Sequence, residues 1–176
     1  MKKFSDIMSE LEKKNRHNGE CPTYCLNVIG PFVERTRNEI PCEKGIYFAF
    51  ECEKESIESG VILYKRMVYV GKASEGNTLR KRIGDHYTQH DLKYRENGES
   101  VDMESIAFFC CLMDNDATIY DVEAAQIYAQ NPPANTDGVD HYIGKTAPIF
   151  ITIKNKCEFV PKNLYKDPVI IRKEDI

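Results

Sequence analysis

The order of strand-like and helix-like segments limits this chain to a small mixed fold. Five segments follow one another as strand, strand, helix, strand and helix: 45–51, 66–71, 78–91, 105–113 and 116–130. The strands are rich in β-branched and aromatic residues, whereas the helices repeat their apolar positions every three to four residues. This order predicts an α+β domain with a small, mostly antiparallel three-stranded sheet flanked by helices.

Further segments are predicted outside these five. Apolar residues at helical spacing predict an N-terminal helix over 4–14. The stretches CPTY (21–24) and IGPF (29–32) predict turns around a short apolar piece, and PIFITIK (148–154) predicts an edge strand. A length of 176 residues fits one domain, 1–176.

Composition restricts the class of protein. Charged residues make up 30% of the chain and hydrophobic ones 41%, which is the balance of a globular protein. No apolar stretch approaches the roughly 20 residues that span a bilayer. The first 14 residues have no apolar core of the kind that signal peptides carry. We therefore expect a cytoplasmic protein without a membrane partner.

Seven cysteines are present, an odd number. Without a secretion signal, an odd count favours reduced thiols over a disulfide framework. Cys21 and Cys25 could begin a zinc site, but their spacing is loose. Cys110 and Cys111 lie in an apolar run and are expected in the core.

Positive charge is concentrated in one part of the chain. Residues 61–95 contain eight basic and three acidic side chains, a net +5, although the whole chain carries −4. A basic patch on an acidic body suits local binding of a phosphate backbone. The alternative is an ordinary solvated helix face.

Two tyrosines are expected on the same side of the sheet. Side chains alternate along a strand, so Tyr47 faces away from Ile46 and Phe48. By the same rule Tyr69 faces away from Val68 and Val70. Antiparallel pairing of the two strands would bring both phenols to one face. The alternative is cross-strand packing without a chemical role.

The two predicted helices carry polar residues beside their apolar stripes. Arg82 and His86 are four residues apart and border the stripe of the first helix, whereas Arg80 and Lys81 point towards solvent. On the second helix, Glu123 projects from an apolar face, which is costly unless the carboxylate is paired or binds a cation. A structural ion pair with Arg82 is one alternative, and a metal-ligand role is the other. Asn135 follows after a rigid NPP and could return to the same site.

These residues together resemble the GIY-YIG nuclease family. Gly45-Ile46-Tyr47 matches its first motif, and Tyr69-Val70-Gly71 matches the second with valine for isoleucine. YVGKA followed by LRKRIGDHY is also similar to the catalytic module of excision-repair incision subunits. The resemblance covers residues 43–136, with 1–42 and 137–176 as extensions. The matching positions are Tyr47, Tyr69, Gly71, Lys72, Arg82, His86, Glu123 and Asn135. The interval between Gly71 and Arg82 is longer than the family pattern, which makes Arg80 a rival for the arginine role.

The resemblance implies a β-β-α-β-α core and a metal-dependent endonuclease that hydrolyses phosphodiester bonds in DNA. It implies Tyr47 or Tyr69 as general base or water-positioning group, and His86 as acceptor of the phenol proton. Arg82 would neutralise the non-bridging oxygens, and Glu123 would hold one Mg²⁺ (or Mn²⁺) ion. The implied phosphate contacts are Lys72, Arg80 and Lys81, and Asn135 would orient Glu123 or the phosphate.

The sequence leaves open the oligomeric state and two alternative functions. One site per chain cuts both strands of a duplex only in a homodimer or by successive nicks. A non-catalytic nucleic-acid-binding or protein-interaction module could retain the same fold. A zinc- or thiol-based protein with a fortuitous resemblance is the third reading.

Overall fold

The computed structural model describes residues 22–145, 149–155 and 164–172. The strands are β1 (Thr23–Leu26), β2 (Val28–Phe32), β3 (Gly45–Cys52), β4 (Tyr64–Ala73), β5 (Ile106–Leu112), β6 (Ile149–Ile153) and β7 (Val169–Ile171). The α-helices are α1 (Lys54–Ser59), α2 (Leu79–Gln89) and α3 (Asp116–Gln130), with short 3₁₀ helices at Glu34–Glu39 and Met103–Ser105. The helix predicted over 4–14 lies outside the described residues.

The central sheet has the strand order β2-β5-β3-β4, and every neighbouring pair is antiparallel. The three predicted strands are all present, which confirms the α+β class. The prediction of three strands in the central sheet is wrong, because the IGPF segment forms part of a fourth strand, β2, instead of a turn. Val28 and Phe32 are buried against β5, while the register shifts between Ile29 and Phe32, where Gly30 and Pro31 lie. Glycine and proline thus mark an irregularity in an edge strand.

A second sheet of three strands has the order β1-β6-β7. The predicted edge strand at 148–154 corresponds to β6, which lies at the centre of this sheet. It pairs parallel with β1 and antiparallel with β7. The edge assignment is therefore wrong, because residues of the predicted CPTY turn form a strand instead. The local turn preferences of Pro22 and Thr23 are outweighed by pairing with residues more than 120 positions away.

Side-chain caps fix the helix ends. The Thr78 hydroxyl accepts from the Lys81 amide at the start of α2, and the Asn115 side chain accepts from the Thr118 amide at the start of α3. Helix α3 ends at Gln130, immediately before the NPP segment, as predicted, and Asn131 caps it in the left-handed conformation. Helix α2 ends at Gln89, two residues earlier than predicted. Within the described ranges, no helix has both the length and the apolar character needed to cross a membrane.

Two hydrophobic cores lie on opposite faces of the central sheet. One contains residues of α3 and of the second sheet, and the other contains Leu79, Ile83 and Tyr87 of α2. Because of a register shift between β3 and β4, Val68 packs in the core that contains α2, whereas Val70 packs in the core that contains α3. The prediction that these valines share a face is therefore wrong, because a bulge reverses the alternation of side chains.

Candidate active site at the edge strand

The two motif tyrosines lie together on the α2 face of the sheet. Tyr47 pairs with Gly71 and Ala49 pairs with Tyr69, so the phenols are diagonal neighbours with ring centroids 6.1 Å apart. This confirms the expected antiparallel pairing and the shared face. Tyr47 is fully buried, whereas Tyr69 is partly exposed.

The motif glycines are required by close packing. A Cβ atom on Gly71 would lie 2.5 Å from both Cζ and the hydroxyl of Tyr47 and 2.7 Å from Cε1 of Tyr69. Gly45 has φ +154°, and its Cβ would collide with the carbonyl oxygen of Cys111. Each glycine therefore allows a close approach that no other residue permits without displacing a neighbour.

His86 connects helix α2 to the tyrosine pair. Its Nε2 atom lies 2.7 Å from the Tyr47 hydroxyl in a buried hydrogen bond. Only 2% of His86 is exposed, which is more burial than its predicted border position implies. On its other side, Nδ1 lies 2.6 Å from Oδ1 of Asp91. Asp91 was not predicted as a site residue, because the helix was expected to continue through it.

The ionisation of these groups follows from their burial. Burial raises the pKa of Tyr47 well above its ordinary value, with a further rise from Tyr69 and an opposing effect of Arg82. Burial and the Glu123 charge also raise the pKa of Tyr69, although Arg82 and the Tyr47 hydroxyl lower it. Burial lowers the pKa of His86, and the hydrogen bond that the ring donates to Asp91 opposes this effect. At neutral pH both phenols are protonated and the imidazole is neutral.

Of the two rival arginines, Arg82 is the one beside the phenols. Its charge acts on the pKa values of Tyr47, Tyr69 and Glu123. The Arg82 guanidinium makes no hydrogen bond or salt bridge with any residue that the structure describes. Arg80 instead donates from Nε to the carbonyl oxygen of Ile40 at 2.7 Å.

Lys81 lies on the exposed side of helix α2. Its ammonium is 3.2 Å from a carboxylate oxygen of Asp85, one helical turn along. Arg80 is exposed as well. The structure thus separates these two side chains from the phenols and leaves them at the outer surface of the helix, as predicted.

Glu123 approaches the site from α3 and forms an ion pair with Lys72. The Glu123 side chain is 12% exposed and that of Lys72 is 32% exposed. Burial raises the pKa of Glu123, and Lys72 and then Arg82 oppose the rise. The direct partner of Glu123 is thus Lys72 and not Arg82, the partner considered from the sequence. Oε1 of Glu123 accepts no hydrogen bond from a described residue. This oxygen is accessible to solvent and is therefore not a buried polar atom without a partner.

Asn135 is buried next to the edge strand and not directed at Glu123. Its Oδ1 accepts from the Val70 amide, and its Nδ2 donates to the Val70 carbonyl oxygen, both at 2.9 Å. Ala134 donates in the same way to the carbonyl oxygen of Val68. The side chain therefore continues the hydrogen-bond ladder of β4 at an edge that pairs with no other described strand. It makes no hydrogen bond to Glu123, which was one of the two groups it was expected to orient, the other being the phosphate.

A metal ion at this site would have to bind through the carboxylate of Glu123. Mg²⁺ commonly takes one or two carboxylates and completes its shell with water and substrate phosphate, so Glu123 with its open Oε1 fits one such ion. Over the described ranges, no cluster of three or more His, Cys, Asp or Glu residues could hold a metal. Of the cysteines in those ranges, Cys25 and Cys42 are exposed thiols and Cys110 and Cys111 are buried in the core, as expected for the latter pair.

Comparison with known proteins adds no relative. No family model, no curated protein and no solved structure matches this chain.

Proposed function

We propose that the protein is a metal-dependent endonuclease of the GIY-YIG type that hydrolyses phosphodiester bonds in DNA. The observation that carries this proposal is the meeting of a buried phenol–imidazole pair with an arginine that has no partner among the described residues. A guanidinium held beside proton-transfer groups suits a reaction in which negative charge develops on phosphate oxygens. The order β3, β4, α2, β5, α3, with the short helix α1 inserted between β3 and β4, is compatible with the β-β-α-β-α core that the resemblance implies.

The raised pKa values of both tyrosines argue against a phenolate as the base. A relay avoids this difficulty, because neither phenol has to ionise. As a water oxygen forms its bond to phosphorus, the water proton passes to the Tyr69 oxygen, the Tyr69 proton to Tyr47, and the Tyr47 proton to Nε2 of His86. Tyr69 is the partly exposed member and therefore contacts the water. The bond from phosphorus to the leaving oxygen breaks, and that oxygen takes a proton from solvent.

Arg82 provides the electrostatic part of the mechanism. Its planar, permanently charged group would donate to non-bridging oxygens of the scissile phosphate as their charge increases. Since it has no hydrogen-bond partner among the described residues, it needs to break no hydrogen bond with any of them to do so. Removing one such stabilising donor typically lowers the rate on the order of 10²–10³-fold.

Glu123 would hold one Mg²⁺ or Mn²⁺ ion through Oε1. When bound, this ion supplies a positive charge beside the phosphate and helps to orient it. Lys72 neutralises the carboxylate and lies at the same edge, where it would also contact phosphate. Arg80 and Lys81, further along the exposed surface of α2, would contact the flanking DNA backbone.

A plasmid-nicking assay tests the proposal. We expect wild-type protein to nick supercoiled DNA with Mg²⁺ and not with EDTA. Glu123→Gln and Arg82→Ala should each abolish cleavage without unfolding the protein. Glu104→Gln is the matched control, since it alters an exposed ion pair with Lys54 away from the site. Wild-type rates in both site variants would refute the assignment, and DNA binding without any cleavage would favour a non-catalytic nucleic-acid-binding module.

A further inference from the structure

The end of helix α2 places an acidic side chain against the imidazole of His86. The helix stops at Gln89, and His90 adopts the left-handed conformation with φ 50° and ψ 42°. The His90 amide donates to the His86 carbonyl oxygen, so the chain turns back at this point. This turn brings the Asp91 carboxylate to 2.6 Å from Nδ1 of His86.

The two contacts of the ring have different requirements. A carboxylate can only accept a hydrogen bond, so the proton of a neutral imidazole must be on Nδ1 to satisfy Asp91. Nε2 then carries a lone pair and accepts from the Tyr47 hydroxyl at 2.7 Å. With the proton on Nε2 instead, the Nδ1 lone pair would face the Asp91 charge, which is unfavourable.

The surroundings of His86 leave few other ways to select a tautomer. The ring stacks on Phe108 at 6.1 Å with an interplanar angle of 6°, and it meets Tyr69 edge-on at 5.5 Å. Other charged groups near it are Arg82 and Asp85 on its own helix. Asp85 interacts with Lys81 and makes no hydrogen bond to the ring, so Asp91 is the acidic group that contacts His86 directly.

We propose that Asp91 is a positioning residue that holds His86 in the Nδ1-protonated tautomer, so that Nε2 is ready to accept the proton of Tyr47. This inference rests on the proposed function for its catalytic meaning, but the tautomer itself is a property of the folded protein. Asp91 touches neither DNA nor the reacting atoms in this scheme. It acts through His86.

Nitrogen NMR of histidine-labelled protein tests the tautomer without any cleavage. The His86 signals are assigned by comparison with the His86→Gln variant. In wild-type protein at neutral pH we expect the proton on Nδ1, and in Asp91→Ala we expect a shift of the population towards Nε2–H. Asp85→Ala, which removes a nearby acid without touching the ring, should leave the tautomer unchanged. A wild-type ring protonated on Nε2, an unchanged ring in Asp91→Ala, or an equal shift in Asp85→Ala would each overturn the inference.

A cleavage assay then tests the consequence. Asp91→Ala should lower kcat by about 10²-fold, the lower end of what positioned proton transfer contributes, with KM changed by less than about twofold. Asp91→Glu should recover part of the rate, because it restores a carboxylate. An unchanged kcat, or a change in KM alone, would contradict the role. If wild-type protein fails to cut DNA, the proposed function fails, and the NMR result still decides the role of Asp91.

Discussion

Replacing Gly71 with alanine adds one methyl group at the point where the two phenol rings meet. The new Cβ would lie 2.5 Å from Tyr47 and 2.7 Å from Tyr69. Carbon atoms in ordinary contact are about 3.5–4.0 Å apart, so at least one ring must move by about 1 Å. Overpacking of this kind typically destabilises a protein by about 1–3 kcal/mol.

The same displacement should damage the proposed proton relay. The hydrogen bond from Tyr47 to His86 is 2.7 Å long, and a shift of the phenol by about 1 Å along it gives about 3.7 Å, beyond hydrogen-bond range. We therefore expect Gly71→Ala to lower the cleavage rate on the order of 10²-fold or more, the contribution of general acid–base catalysis. Urea unfolding measures the first effect, and plasmid nicking measures the second.

Gly84→Ala is the matched control. It makes the same chemical change within helix α2, where the added Cβ has no described heavy atom within 4 Å apart from its chain neighbours and the backbone of the helix itself. Alanine is the better helix former, so this variant should gain up to about 1 kcal/mol in the free energy of unfolding. A Gly71→Ala protein that is as stable as wild type and nicks DNA at the same rate would refute the close approach of the two phenols.

The remaining predictions concern single contacts of the site. Asn135→Ala should lower the free energy of unfolding by about 1–3 kcal/mol in urea titrations, because it leaves two buried main-chain groups of β4 unpaired; no loss would contradict the ladder role. The pKa of His86 is lowered from 6.5 by burial, so the unfolded chain binds more protons below that pH. The free energy of unfolding of wild type should therefore exceed that of His86→Gln by its full amount above pH 6.5. This difference should shrink by at most about 1.4 kcal/mol at about pH 5.5, and a difference that grows as the pH falls would contradict the lowered pKa. A double-mutant cycle of Lys72→Met and Glu123→Gln, measured as free energies of unfolding in urea, should give a coupling energy of about 0.5–3 kcal/mol. Additive effects of the two substitutions would contradict the ion pair.

Local rules were sufficient where the environment of a residue depends on its near neighbours in the chain. The alternation along β3 placed Tyr47 correctly, because that strand pairs without interruption from Gly45 to Ala49. Helix α3 ended where Asn131 and the following proline predict. The apolar burial of Cys110 and Cys111 also followed from the composition of a single strand.

Long-range pairing explains what the sequence alone did not reveal. Strands β1 and β2 contain turn-forming residues, and they exist because distant strands supply their hydrogen bonds. The bulge at Val68 places this residue on the opposite face of the sheet from Val70. A strict two-residue alternation cannot predict this, because it does not allow for one extra residue in a strand.

Two contacts in the site depend on long-range or end-of-helix geometry that the predicted patterns did not include. Asp91 reaches His86 only because the helix stops at Gln89 and His90 adopts the left-handed conformation, a position that glycine or asparagine usually occupies. The pairing of Glu123 with Lys72 requires knowing how α3 packs on β4. An earlier helix end, with an acid after it, is the one signal that could have revealed Asp91 from the sequence.

The most direct test of the proposed chemistry is the nicking rate of Tyr47→Phe compared with wild type, on supercoiled plasmid with saturating Mg²⁺ at neutral pH. The substitution removes one oxygen atom and keeps the buried ring, so the fold should persist while the proton path to His86 is broken. We expect Mg²⁺-dependent nicking by wild type and a rate lower by about 10²-fold or more in the variant. Equal rates for the two proteins, or no nicking by wild type, would contradict it.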